Sequence, residues 1–245
     1  MPHKQLTDII NNSKKIVFFG GAGVSTESNI PDFRSENGLY SAKKTYGRTP
    51  EELLSRDCFT REPELFFRYY KENLVYPDAK PNAAHTALAE MEAKGRLFAV
   101  ITQNVDGLHQ AAGSRNVIEL HGTSHRHYCV KCAAEYPPEY IFENSASYVP
   151  KCTCGGIVRP DVVLYGEGLD QRVVANAVSA IENADCLIVG GTSLVVYPAA
   201  GLIQCFNGKF LVLINKSSTS YDSTADLIIN DSIGKVFGAL EILEI

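Results

Sequence analysis

Residues 15–34 constrain the fold more than any other stretch. "KIVFFG" places four consecutive β-branched or aromatic residues, Ile16 to Phe19, in a run too short for a buried helix, and it breaks at once into "GGAGVSTESNIPDFR". A short apolar run closed by glycines reads as a buried strand leading into a tight turn. In an α/β fold such a turn brings backbone N–H groups to a dinucleotide pyrophosphate, and Gly21 and Gly23 are spaced for that approach. Ser25 and Thr26 add hydroxyls. A Gly-x-Gly alone is equally compatible with a plain turn.

The same kind of run recurs in "LFAVITQN", "NVIEL", "DVVLYG", "DCLIVGG" and "KFLVLINK". Helical periods lie between several of them. "PNAAHTALAEMEAKG" spaces Ala84, Ala87, Leu88 and Met91 on one face, with Gly95 as its stop, and "LDQRVVANAVSAIENA" repeats the period. Strands alternating with helices predict a Rossmann-like, doubly wound parallel sheet. Two segments break the alternation. Residues 36–80 read as a helical insert, with Thr49, Pro50 and Glu52 forming a capping box and "EPELFFRYYKENL" carrying an aromatic face. Residues 124–158 are polar, turn-rich and hold four cysteines. The expected division is therefore 1–35, 81–123 and 159–245 in the large domain, with 36–80 and 124–158 forming a small one.

Cys129-x-x-Cys132 and Cys152-x-Cys154 lie 19 residues apart. Two such pairs can close a tetrahedral thiolate site with no open position, which is the pattern of a structural zinc. The alternative is that the second pair is incidental, for which its shorter spacing is the best argument; Gly155 and Gly156 permit the turn that a metal site would need. Cys58, Cys186 and Cys205 stand alone in apolar or helical contexts and read as buried thiols. Free thiols and the absence of a secretory core in "MPHKQLTDIINNSKK" point to a cytoplasmic protein. No apolar run approaches the ~20 residues of a membrane helix. A net charge of −5 over 245 residues gives no general attraction to nucleic acid or anionic membranes.

A hydride-transferring dehydrogenase needs an acidic ribose anchor about 20 residues past the glycine turn. That region is "SAKKTYGRTPEE", which is no strand, so the dehydrogenase reading loses its anchor; Asn215, after "LVLI", could hold a ribose instead. Gln103, Asn104 and Asp106 follow a strand, at the carboxyl edge where α/β ligands collect; helix-capping turns would explain the same residues. His121 follows the next strand and could serve there as a general base. His125 and His127 are assigned to the surface of the cysteine module, and His85 to helix packing or capping.

In order, "GAGVSTESNIPDFR", "TQNVDGLHQAAG", "ELHG", the four cysteines, "RPDVVLYGE", "GTSLVVYPAA" and "INK" cover nearly the whole chain. With these motifs the chain resembles the sirtuins, NAD-dependent protein deacylases. The resemblance implies that NAD is consumed as a substrate, in a cleft between the two domains that also takes acetyl-lysine. It implies His121, Asn104 and Asp106 as catalytic residues. His121 would take a proton from a ribose hydroxyl, so that the 2′-oxygen attacks an alkylimidate formed when the acetyl oxygen displaces nicotinamide. Asp106 and the Ile30 backbone would hold the carboxamide, while Asn104 and Gln103 would order the ribose. Gly21, Ala22, Gly23, Thr26, Phe33, Arg34 and Val105 would complete the cofactor contacts, with Thr192, Ser193, Asn215 and Ile233 at the adenosine end. Val163, Tyr165, Gly166, Glu167 and Val195 would flank the substrate peptide. Asn29 stands where the family usually has Gly, and Tyr165 where Phe is common.

Sirtuins that prefer acidic acyl groups carry a Tyr-x-x-Arg pair on the insert helix. Ungapped alignment puts Phe67 and Tyr70 at those positions, in the acyl pocket, and Arg68 on another helix face. The resemblance thus implies a deacetylase that works poorly on succinyl-lysine. Mono-ADP-ribosyl transfer and a non-catalytic NAD sensor are the alternatives; retention of Asn104, Asp106 and His121 together argues against the sensor.

Overall fold

The computed structural model describes residues 2–32, 42–143 and 148–240. Six parallel strands form the main sheet: β1 (Ile16–Gly20), β2 (Leu97–Thr102), β3 (Val117–Glu119), β7 (Cys186–Gly190), β8 (Phe210–Ile214) and β9 (Leu227–Ile229). Their order is β3-β2-β1-β7-β8-β9. Numbered within this sheet, that is 3-2-1-4-5-6, the dinucleotide-binding order, with its switch point between β1 and β7. Register is set by side-chain alternation on the central strands. Ile16 and Phe18 face one apolar layer, with Leu6, Ile10, Leu88 and Met91. Val17 and Phe19 face the other, with Ala177, Ile181, Leu187 and Val189. Both faces are covered, as a parallel sheet requires.

The helix Ala83–Ala93 starts on Asn82, whose side chain accepts from Ala84 N–H, while His85 Nδ1 accepts from Asn82 N–H. His85 thus has the capping role expected of it. The Thr49–Glu52 capping box also forms. The polar N-terminus is the helix Pro2–Asn12, and it buries Leu6, Ile9 and Ile10. No helix among the described residues is long and apolar enough to cross a membrane.

The second sheet has three antiparallel strands, β4 (Gly122–Cys129), β5 (Glu135–Tyr136) and β6 (Val158–Val162), in the order β5-β4-β6. Here the sequence expectation needs correction. "DVVLYG" reads as a strand of the parallel sheet, yet Asp161 and Val162 end β6, antiparallel to β4. Residues 163–166 leave the sheet, with Val163 N–H on His121 O (2.9 Å) and Tyr165 N–H on Leu54 O (3.0 Å). Leu164 is apolar because it packs into the core of the insert helices, and Val163 lines the cleft. β9 was not anticipated, since its three residues are too short to show a period. The insert helices Pro50–Leu53, Arg56–Arg61 and Pro63–Asn73 share a core with Ile141, Val149 and Leu164.

His127 also departs from expectation. It is 1% exposed rather than on the surface of its module. The strand alternation of β4 turns His127 and Cys129 to the same inner side, and Tyr70 meets the His127 ring there. Cys58 and Cys186 are buried, whereas Cys205, at the end of the turn Ala199–Cys205, is half-buried.

Candidate active site

A cleft of about 540 Å³ opens at the switch point, above the carboxyl ends of β1 and β7. Its floor is the glycine turn. Gly23 N–H donates to Gly191 O at 2.8 Å, and a Cβ on Gly23 would stand 2.8 Å from the Gly191 backbone. The turn can therefore press against its neighbour only as glycine. Asn29 takes the left-handed conformation (φ 62°), which explains why glycine suits this position and why asparagine is tolerated.

Ser25 joins the first loop to the second. Its hydroxyl donates to Asp106 Oδ2 (2.6 Å) and accepts from Asn104 Nδ2 (3.1 Å). Asp106 Oδ1 accepts from Leu108 N–H (3.0 Å), so the helix-capping explanation and the site explanation both apply to this residue. Gln103 Nε2 donates to Thr192 Oγ1 (3.1 Å), linking the β2 and β7 edges. Thr26 spends its hydroxyl on Gly23 O, and Ile30 N–H is used by Ser25 O (3.2 Å). At the far end, Asn215 Oδ1 accepts from Thr192 N–H (2.9 Å), while its Nδ2 is buried and unpartnered beside the cleft. Such an orphaned donor suits a ribose hydroxyl.

His121 follows β3. Its Nδ1 lies 2.9 Å from Gln103 O, an acceptor only, so Nδ1 carries the proton and Nε2 keeps a lone pair. Burial lowers the imidazole pKa below its ordinary value, partly offset by that hydrogen bond. A neutral ring with a fixed tautomer is what a general base needs. His125, expected on the module surface, is exposed but turns Nε2 to Asp106 O (2.8 Å). Ser124 N–H and Oγ both reach Val105 O, so the start of β4 braces the 103–107 loop.

The structure brings His121, Asn104 and Asp106 to this cleft, along with Gly21, Ala22, Gly23, Thr26, Ile30, Gln103, Val105, Thr192, Ser193, Asn215 and Ile233. Val163, Tyr165, Gly166, Glu167 and Tyr70 line it as well. Phe67 does not: it is wholly buried against Phe59 and Phe66 in the core of the insert helices. Val195 is 57% exposed beside the cleft mouth and does not line it. Phe33 and Arg34 lie outside the described residues. Arg68 is half-exposed, paired with Glu72 and set over the Tyr46 ring, so it faces away from the cleft.

Two residue roles were missed. Ser25 looks like one more hydroxyl in the loop, and only the fold shows that it ties two loops together. Arg159 is buried between Phe59 and Tyr128 and grips Glu167 through two bonds of 2.7 and 2.9 Å. Burial disfavours ionised Glu167, but Arg159 and Leu164 N–H outweigh it and hold the carboxyl below its usual range. Glu167 is thereby a fixed strut of the 163–167 segment.

The four cysteines of the module come together, with all four Sγ atoms within 4.8 Å of one another. Measured pairs stand at 3.4, 3.5 and 3.6 Å. Four sulfurs around a zinc at about 2.3 Å would be about 3.8 Å apart, so the set fits with a small expansion. Lys131 N–H and Cys154 N–H each point to a cysteine sulfur at 3.4 Å, as expected around thiolates. A Cβ on Gly156 would stand 2.6 Å from Cys129 Sγ, which is why the short pair is followed by glycine.

The Sir2 family profile matches residues 21–198. An NAD-dependent protein deacetylase of Clostridium perfringens is 63% identical over 236 residues, 96% of each chain. That of Clostridium acetobutylicum is 60% identical over 233 residues, 95% of each. A Sir2 structure holding a p53 peptide and NAD+ superposes with a TM-score of 0.87 at 41% identity, covering 97% of this chain and 96% of that one. Another, with a deacetylated p53 peptide and 3′-O-acetyl-ADP-ribose, gives 0.88 at 42% identity, with the same coverage. The chain belongs to the Sir2 family.

Proposed function

We propose that this protein removes acetyl groups from lysine side chains of other proteins and consumes one NAD for each. Overall, acetyl-lysine, NAD and water give lysine, nicotinamide and O-acetyl-ADP-ribose. The observation that carries this reading is the convergence of the Ser25–Asn104–Asp106 hydrogen-bonded set and the neutral, tautomer-fixed His121 on one switch-point cleft.

The residues divide the work. The glycine turn and Thr192 receive the pyrophosphate side, and Asn215 donates its free Nδ2 to the adenosine ribose. Asp106, held by Ser25, orients the carboxamide of the leaving nicotinamide; Asn104 and Gln103 order the ribose that reacts. His121 Nε2 takes a proton from a ribose hydroxyl, which can then attack the acetyl carbon. The substrate peptide lies along 163–167, with Val195 at the mouth, and its acetyl group enters between His121 and the small domain. Holding the reactants in line supplies much of the acceleration, since an amide oxygen is a poor nucleophile. Cys129, Cys132, Cys152 and Cys154 hold one structural zinc, whose closed thiolate set leaves it no part in the chemistry. The free thiols and the reduced cysteine set suit a cytoplasmic location.

Nicotinamide release, measured with and without an acetylated peptide, tests the reading. Release that requires the peptide and matches lysine formation one to one is expected. Release without acyl-lysine would replace it with ADP-ribosyl transfer, and no release at all with an NAD sensor.

A further inference from the structure

The β8 end of the cleft carries more hydrogen-bond donors than the two hydroxyls of a ribose can use. β8 stops at Ile214, and Asn215 follows it, nine-tenths buried, with Oδ1 on Thr192 N–H and an unpartnered Nδ2. The next three residues, Lys216, Ser217 and Ser218, line the same cleft and are exposed. Among the described residues none of their donors is taken. The Lys216 ammonium has no carboxylate partner, neither serine hydroxyl is hydrogen-bonded, and the three backbone N–H groups reach no carbonyl. The segment is anchored at both ends. Asn215 N–H donates to Ile229 O (3.2 Å), while Thr219 N–H and its hydroxyl both donate to Asp222 Oδ1 (2.9 and 2.8 Å). Asp231, which follows the neighbouring strand β9 and also lines the cleft, accepts from Ser232 N–H (2.8 Å) and pairs with Lys235 (2.6 Å). Its charge is answered, and that of Lys216 is not.

We propose that Lys216, Ser217 and Ser218 form an anion subsite for a phosphate on the 2′-oxygen of the adenosine ribose, so that NADP binds this cleft in competition with NAD. This rests on the NAD reading, with Asn215 at the adenosine ribose, and adds a second ligand to the same site. A dinucleotide site made for an unphosphorylated ribose commonly sets a carboxylate there, which accepts from the ribose hydroxyls and repels a phosphate. Here the ribose meets a neutral amide, and an unanswered cation follows one residue later. A phosphate offers acceptor oxygens and negative charge only, so it needs what this segment holds: consecutive backbone N–H groups, two hydroxyls and an ammonium. A ribose hydroxyl of NAD gains little from the same groups, because it is neutral and Asn215 Nδ2 already serves it. No bond is made or broken in the subsite. Its effect is to weigh one dinucleotide against the other, slowing deacetylation where the phosphorylated form is abundant.

The test uses adenosine 5′-monophosphate and adenosine 2′,5′-bisphosphate, which differ by that one phosphate. Dissociation constants are measured by calorimetry for both, with the wild-type protein and with Lys216→Met, and the ratio of the two is compared, so that any general loss of adenosine binding in the variant cancels. Wild type should bind the bisphosphate at least about tenfold more tightly, the worth of one charge-assisted hydrogen bond, and the variant should lose most of that ratio. Adenosine 3′,5′-bisphosphate carries the same charge and should gain less, which separates position from charge. NADP should inhibit deacetylation, and added NAD should relieve it. A ratio near one in wild type, a ratio unchanged in the variant, equal gains from the 2′- and 3′-phosphates, or inhibition that NAD does not relieve overturns the subsite alone. Failure of both the monophosphate and NAD to bind overturns the NAD reading and the subsite with it.

Discussion

The parallel sheet and the cysteine module hold their shapes by different means. The parallel sheet is wrapped in two extensive apolar layers, and its central strands β1 and β7 are buried at every position. The cysteine module has almost no apolar interior. Its buried cluster is Cys129, Cys152 and Val158, with Tyr136, Tyr140 and Cys154 packed against it. One region is stabilised by area removed from water, at about 25 cal/mol per Å². The other gathers four sulfurs, and the zinc proposed for them would supply the missing cohesion. The difference teaches why the cleft lies where it does. The sheet edge carries His121 and the Ser25–Asp106 set, and the insert helices line the cleft's other side through Pro50, Leu54, Tyr70 and Leu74.

Metal removal should break this comparison with the largest effect. Structural zinc contributes on the order of 10 kcal/mol to small metal-held folds. Chelation, or Cys129→Ala, should abolish measurable deacetylation, although no thiolate touches substrate. Hydrogen exchange should rise sharply across β4 to β6 while β1 and β7 stay protected. Metal analysis should find about one zinc per chain. A metal-free protein with normal activity would show that the module is self-supporting.

The second prediction concerns the wall that the small domain gives the cleft. With no cation there among the described residues, succinyl-lysine should be removed about 100-fold or more slowly than acetyl-lysine, by kcat/KM on one peptide. A desolvated, unpaired carboxylate costs several kcal/mol. Comparable values would mean that a cation reaches the acyl pocket.

The smallest effect sharpens the account of the large domain. His109 is 1% exposed, and burial, then its neighbour His85, push its pKa down to about 3. The unfolded chain takes up this proton near pH 6.5 and the folded one does not. Stability should therefore be fully present above about pH 6.5 and fall as the pH drops toward 3. At pH 5 the loss is about 2 kcal/mol from this residue. Denaturant midpoints at pH 7 and 5, compared between wild type and His109→Gln, measure it; equal slopes in the two proteins would contradict the assignment.

The parallel sheet, its main helices and the cysteine set were legible because each carries a local signal: an apolar run, a 3.6-residue period, a paired spacing, a capping box. The polar residues at the cleft edge were legible because they directly follow such runs. The β6 segment was misread because an apolar stretch looks alike whether it pairs in a parallel sheet or packs against the insert helices. His127 was misplaced because β4 alternates around a bulge that no local rule announces. Phe67 was assigned to the pocket by its alignment with the family, yet packing turns it into the core. Ser25 and Arg159 were missed because their partners, Asp106 and Glu167, are supplied by the fold.

The central claim is that His121 is the general base of NAD-dependent deacetylation. It is tested most directly by measuring deacetylation by His121→Ala alongside its NAD binding. The account predicts a loss of at least about 10²-fold in kcat, with NAD affinity largely kept. In the wild type, the acid limb of kcat/KM should fall below pH 6.5, because burial lowers the His121 pKa. Activity of the variant within a few-fold of wild type would contradict it.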